Sequence, residues 1–171
     1  MCIRDSDNTM LHALNKIAIA TTNGTEKTAA AVAYFLNYCA SNPEPSLSYR
    51  ASDMILSIDS DAAYLVEPQA RSRMGGYHYL GNRDGKLFNA PIHVLAKVIK
   101  NVVASAAEAE VAGLFINAQD AVPERTTLIE LGHPQPATPI RTDNSTANGI
   151  INGTIKQKRS KAIDMRFYWL K

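Results

Sequence analysis

The sequence has little of what marks secreted, membrane-spanning or disulfide-stabilised proteins. Only two of the 171 residues are cysteines, so they form neither a disulfide framework nor a metal-binding spacing. No apolar run approaches the roughly 18 residues of a transmembrane helix. The N-terminus lacks the basic and apolar regions of a signal peptide. We therefore expect an intracellular, reducing setting without membrane contact.

Charge of one sign is also scarce over the chain as a whole. A net charge of +2 excludes a strongly basic nucleic-acid binder of the kind that coats phosphate backbones over its whole surface. The distribution is uneven, because residues 155–171 carry six basic residues and one acid, a net +5 that leaves −3 for the remainder. This basic end fits either a phosphate-facing edge or a solvated tail.

Hydrophobic residues make up 46% of the chain, enough for one packed domain plus a connecting segment. Residues 1–9 show no pattern, and we expect them to be foreign to the domain. In residues 10–50, the pattern predicts either a short apolar helix or an extended piece over 10–20, and then a second helix capped by Thr25. The second helix should end near Ser41, because Pro43 and Pro45 follow. A domain of 51–171 would then follow.

The sequence pattern of residues 51–171 predicts a mixed α/β fold. Alternating residues indicate strands at 53–61, 75–80 and 91–99, joined as successive antiparallel neighbours. Ser105 then opens a helix, and Pro123 starts a second helix that ends at Gly132. A fourth strand at 139–143 precedes a helix capped by Asn144 or Ser145, and residues 162–170 predict a last helix.

Three acids stand where such a sheet would gather them. Asp61 lies at the end of the first predicted strand, Asp143 at the end of the fourth, and Glu108 in the first turn of the helix after the third. Ligand sites in open α/β sheets lie beyond strand ends, and carboxylates are the oxygen ligands that Mg²⁺ prefers. Asp59 and Glu110 are rivals that periodicity alone leaves open.

Five blocks in this order resemble the connection and ribonuclease H region of copia-type retrotransposon pol polyproteins. They are residues 60–64 (Ser-Asp-Ala-Ala-Tyr), 71–77 (Arg-Ser-Arg-Met-Gly-Gly-Tyr), 105–110 (Ser-Ala-Ala-Glu-Ala-Glu), 142–147 (Thr-Asp-Asn-Ser-Thr-Ala) and 160–168. The resemblance extends from about residue 11 to 171, and it makes residues 10–50 the segment between polymerase and nuclease. One departure is Ala63, where the family has a second aspartate.

The resemblance implies a ribonuclease H-like fold, with a mixed sheet of three antiparallel strands followed by β-α units and with helices on both faces. It assigns Asp61, Glu108 and Asp143 as catalytic ligands of two Mg²⁺ ions, for which Mn²⁺ can substitute, with Asp61 bridging both. The family's fourth carboxylate, with a C-terminal strand and helix, is expected beyond residue 171, because Asp164 stands too early to replace it.

By the same resemblance, the substrate is the RNA strand of an RNA–DNA hybrid, cut during retrotransposon reverse transcription. The reverse transcriptase portion of the polyprotein is the expected partner, within a cytoplasmic virus-like particle. The expected substrate-binding residues are Arg71, Arg73, Asn144, Ser145, Lys158, Arg159 and Lys161. The alternatives are an inactive module of the same fold that tethers the polymerase and binds hybrid, and a protein–protein interaction domain whose three acids lie apart.

Overall fold

The computed structural model describes residues 8–155 and 169–170, and the chain divides into two compact units, Met1–Tyr49 and Arg50–Lys171. The first unit contains α1 (Leu11–Ala20) and α2 (Glu26–Ser41), with 3-10 turns at Asn8–Met10 and Thr21–Asn23. The predicted cap is confirmed, because the Thr25 hydroxyl accepts from the Thr28 backbone N–H. The identity of this unit as a connection segment stays a prediction.

The second unit is built on a four-stranded mixed sheet. Its strands are β1 (Ile55–Glu67), β2 (Arg71–Gly81), β3 (Pro91–Val98) and β4 (Ile140–Arg141), and their order across the sheet is β3-β2-β1-β4. The pairs β1–β2 and β2–β3 are antiparallel, whereas β4 lies parallel to β1. The three predicted antiparallel strands followed by a β-α unit are therefore confirmed.

The first strand is longer than its alternation predicted, so Asp61 lies inside β1 and not at its end. Pairing with β2 continues to Ala63 and resumes at Glu67 after an irregularity in the register, and the 3-10 turn Pro68–Ala70 then reverses the chain. Extra residues at such a bulge break the period of two. The sequence pattern therefore ended before the strand did.

The two helices predicted on either side of Pro123 form one helix, α3 (Ala106–Glu130). Proline removes the hydrogen bond to the carbonyl four residues earlier, here that of Gln119. Both residues are exposed, so that carbonyl can be solvated. The opposite face buries Ala121 and Leu128 against Leu56 and Ile58 of β1, and this packing carries the helix through the proline.

A short helix, α4 (Ser145–Ile151), follows β4. It packs on α3 through Ala147, which contacts Val111 and Leu114. In the described part of the chain, α3 covers one face of the sheet, and the loop residue Phe88 covers Tyr77 and Tyr79 on the other. The last predicted helix lies outside the described residues, apart from 169–170.

None of the helices in the described ranges has the length and apolar character that a membrane span requires.

Candidate metal centre

Three carboxylates from separate elements converge at one edge of the sheet. Asp61 comes from β1, Glu110 from the second turn of α3, and Asp143 from the turn after β4. One oxygen from each lies within 4.8 Å of the others. Asp61 and Asp143 are exposed, whereas only 4% of Glu110 is exposed. One carboxylate of the group is therefore buried, and the other two are open to solvent.

Glu110 is fixed by the way β4 leaves the sheet. On the β4 side of β1, the Ile58 N–H donates to the Pro139 carbonyl. Four residues further along, β4 has already ended, and the Ala62 N–H donates to Glu110 Oε1 at 3.2 Å. Because a buried N–H requires an acceptor, the carboxylate takes the place that a longer β4 would fill.

The turn after β4 holds the other side of this carboxylate. The Thr142 hydroxyl donates to Glu110 Oε2 at 3.2 Å and accepts from the Asn144 backbone N–H, also at 3.2 Å. The Asn144 side chain in turn caps α4 by accepting from the Ala147 N–H at 2.9 Å. The side chains on both sides of Asp143, those of Thr142 and Asn144, are therefore held by hydrogen bonds. No local sequence pattern predicted the contact between Thr142 and Glu110.

The charges in the group repel one another. Burial raises the pKa of the Glu110 carboxyl above its ordinary value, and the nearby Asp61 and Asp143 carboxylates raise it too, against the hydrogen bonds from Ala62 and Thr142. Over the described ranges, no lysine, arginine or histidine forms an ion pair with these three acids. A hard divalent cation fits this donor set, because it takes carboxylate oxygens and offsets their charge.

The structure brings Glu110, and not Glu108, to this group, which corrects the choice that the resemblance suggested. Glu108 lies at the helix start, where its Oε2 accepts from the Ala104 N–H at 2.7 Å and its own N–H donates to the Ser105 hydroxyl at 3.2 Å. Two residues along a helix turn the side chain by about 200°. The Ser-X-X-Glu spacing of a capping box was the signal for this role.

The second rival, Asp59, is not part of the group. Its Oδ1 lies 3.8 Å from Arg141 Nη1, across the β1–β4 pair. Arg141 also donates to the Tyr79 hydroxyl at 2.8 Å. Of the two aspartates that the periodicity left open, Asp61 is therefore the one that lies beside Glu110 and Asp143.

The expected substrate contacts divide into three sets. Arg73 is 5% exposed and its Nε donates to Glu67 at 2.7 Å, so the ion pair is buried and the expected phosphate contact is corrected to a structural role. Arg71 is exposed at the start of β2, and Ser145 is exposed in the first turn of α4, while the Asn144 side chain serves as its cap. Lys158, Arg159, Lys161 and Asp164 lie outside the described residues.

Comparison with known proteins identifies no family. No protein-family model and no curated protein matches the chain. Among solved structures, LC11-RNase H1 in complex with an RNA/DNA hybrid is similar to this chain, with a TM-score of 0.48 and 14% identity over 67% of this chain and 72% of that one.

Proposed function

We propose that this chain is a metal-dependent nuclease of the ribonuclease H type that hydrolyses the RNA strand of RNA–DNA hybrids. The observation that carries the proposal is the group formed by Asp61, Glu110 and Asp143, whose oxygens lie within 4.8 Å of one another. Their order along the chain, Asp then Glu then Asp, is the order in the copia-type ribonuclease H region that the sequence resembles.

Each carboxylate has a distinct part in this site. Glu110 is buried and held by hydrogen bonds to both oxygens, so it forms a fixed anchor whose remaining lone pairs are available to a cation. Asp61 and Asp143 are exposed, so they can bind cations at the surface that a phosphodiester reaches. Bound Mg²⁺ or Mn²⁺ would activate the attacking water and stabilise the charge on the scissile phosphate.

The substrate fits this surface by shape. RNA–DNA hybrids are recognised through backbone phosphates and ribose 2′-hydroxyls in a shallow minor groove, rather than by base sequence. In the described residues, Arg71 and Ser145 offer an exposed guanidinium and an exposed hydroxyl. The basic segment 156–161 adds four positive charges for phosphate contacts, and we propose Lys158, Arg159 and Lys161 among them.

The sequence blocks support a retrotransposon setting for this activity. In that setting, the reverse transcriptase portion of the same polyprotein supplies the hybrid, and the reaction takes place in the cytoplasmic virus-like particle. Removal of the RNA strand would free the new DNA strand to serve as a template.

Gel-resolved cleavage of an end-labelled RNA–DNA hybrid tests the proposal, with Mg²⁺ or Mn²⁺ added and EDTA as the blank. We expect Asp61→Asn and Glu110→Gln to reduce cleavage by at least about a hundredfold, because each removes a metal ligand. Glu108→Gln is the matched control on the same helix and should cut at nearly the wild-type rate.

Two outcomes would contradict the proposal. Loss of cleavage in Glu108→Gln but not in Glu110→Gln would mean that the geometry selects the wrong glutamate. Wild-type chain that shifts a labelled hybrid on a native gel without cutting it, under either metal, would favour the non-cleaving hybrid-binding module instead.

A further inference from the structure

A buried polar network crosses the interface between α3 and the sheet. His78 of β2 and Asn117 of α3 are both 0% exposed. The imidazole Nδ1 lies 2.7 Å from Glu124 Oε2 and Nε2 lies 3.0 Å from Asn117 Oδ1. The metal centre uses none of these residues. Buried polar groups of this kind are expensive unless every partner is in place.

The Asn117 amide has only one orientation that satisfies its neighbours. Its Nδ2 is within 3.1 Å of the carbonyls of Gly75 and Gly113, which accept only, and 2.9 Å from the Ser60 hydroxyl. Oδ1 must therefore be the atom that faces His78. An amide oxygen and a carboxylate both accept, so the network is complete only when both imidazole nitrogens carry a proton, that is, when His78 is an imidazolium.

Gly76 provides the space for this amide. A Cβ on Gly76 would lie 1.8 Å from Asn117 Oδ1 and 2.8 Å from its Cγ. Any other residue at this position would displace the amide from the sheet. The backbone of β2 is thus shaped around Asn117.

The network is attached both to α3, which carries Glu110, and to β1, which carries Asp61. Asn117 follows Glu110 by two turns on the same helix, and Gly113 lies between them. The Asn117 side-chain amide donates to Ser60, the residue before Asp61, and to the carbonyl of Gly75. Gly75 pairs with Asp61 across the sheet. Asn117 therefore links α3 to β1 and β2 directly beside Asp61.

We propose that Asn117, oriented by the His78 imidazolium and Glu124, is a positioning residue that sets the place of Glu110 beside Asp61. The contact to be positioned is the hydrogen bond from the Ala62 N–H to Glu110. The consequence for metal binding rests on the proposed function, whereas the position of Glu110 does not.

The charge of His78 makes the positioning dependent on pH. Desolvation lowers the pKa of His78, but the hydrogen bonds that it donates to Glu124 and Asn117 and the charges of Glu124 and Asp120 outweigh this effect, and the pKa is raised above 6.5. On the β3 side, the His93 ring lies edge-on at 5.3 Å, and Lys97 pairs with Asp120. Above the folded pKa, one nitrogen loses its proton, and either Glu124 or Asn117 loses its donor.

Amide hydrogen exchange read by NMR measures the positioning directly, in EDTA and without any activity. We expect Asn117→Ala to reduce the protection of the Ala62 amide by about tenfold, because a lost buried hydrogen bond favours local opening. Ile58, whose N–H donates to Pro139 on the same strand edge, is the internal reference and should change less than about twofold. Equal losses at Ala62 and Ile58 would overturn the proposal, since they indicate general loosening of the core.

Glu124→Gln is a milder variant, because the glutamine keeps an acceptor for His78 but lacks the negative charge of Glu124. In the wild type, Ala62 protection, corrected for intrinsic exchange, should fall as pH rises through the His78 pKa. In Glu124→Gln this fall should begin at a pH lower by about one unit, since a neutral partner no longer favours the imidazolium. Glu130→Gln, at the exposed end of α3, is the matched control. A protection profile that is the same in all three proteins would refute the role of His78.

Direct Mn²⁺ titration separates this inference from the proposed function. If the positioning role and the proposed function both hold, Glu124→Gln binds Mn²⁺ about tenfold more weakly than the control Glu130→Gln. The comparison is made at a pH where His78 is neutral in Glu124→Gln but still charged in Glu130→Gln, and displaced supporting residues typically cost about this much affinity. A wild-type chain that binds no Mn²⁺ would refute the nuclease, while the Ala62 profiles would still decide the positioning role.

Discussion

Because the three acids repel one another, we expect Glu110→Gln to have opposite effects on stability with and without a divalent cation. Glu110→Gln removes one of three negative charges while keeping the shape of the side chain. The new amide can accept from the Ala62 N–H and donate to the Thr142 hydroxyl, so both contacts of Glu110 have a neutral replacement. Without metal, we expect the variant to be more stable than the wild type.

The magnitude follows from the separation of the charges. At 4.8 Å, with an effective dielectric constant of about 40–80 for a group with two exposed members, each pair repels by about 1–2 kcal/mol. Glu110 takes part in two pairs, which gives about 2–3 kcal/mol. Two charge-assisted hydrogen bonds become neutral ones, a loss of about 1–2 kcal/mol in total. Glu110→Gln should therefore raise the free energy of unfolding by about 1 kcal/mol in EDTA.

Magnesium reverses the order. A cation that binds only the folded chain stabilises it by about 1.4 kcal/mol at about ten times its dissociation constant, and the variant has lost a ligand. Urea unfolding of both proteins, in EDTA and in Mg²⁺, measures the four free energies. A variant that is less stable than the wild type in EDTA, or that gains as much from Mg²⁺ as the wild type does, would refute the reasoning.

Three further predictions concern stability. Gly76→Ala should lower the free energy of unfolding by about 2–3 kcal/mol in urea titrations, because its Cβ overlaps Asn117 and overpacking of this kind strains the core; a change below about 0.5 kcal/mol would contradict the packing. Arg73→Ala should cost about 3–5 kcal/mol, since it leaves the Glu67 carboxylate buried without its partner, and Arg73→Ala with Glu67→Ala should recover part of that loss. In EDTA, the raised pKa of Glu110 stabilises the fold at low pH, and thermal melts should show this contribution lost as pH rises through the folded pKa, but not in Glu110→Gln.

Local patterns in the sequence predicted much of the secondary structure. Thr25 and Ser105 each marked a helix start through the side-chain hydroxyl that caps the helix, so both signals lie within a few residues. Asp61 and Asp143, which the structure brings together, were predicted to meet because they follow apolar strand residues in an α/β order. These features depend on local chemistry and survive the folding of the rest of the chain.

The parts that were wrong depend on contacts between distant residues. Glu108 and Glu110 differ only in which element each one meets, and Glu110 is defined by Ala62, 48 positions earlier. Pro123 stays helical because of the strand beneath it. The partners of His78 could not be predicted from spacing, since Asn117 and Glu124 come from a helix that begins 28 residues later. Tertiary packing decided each of these cases.

The edge of β1 has a further consequence for self-association. β4 covers this edge only at Ile58 and Asp59, and the N–H groups of Leu56 and Ala62 on either side are taken by Gln135 and Glu110 side chains. An exposed strand edge is a template onto which another chain can add. Within the described residues, an incoming strand would have to displace the buried Glu110 carboxylate from the Ala62 N–H, so the residue proposed to anchor the cation would also hinder strand addition along this edge.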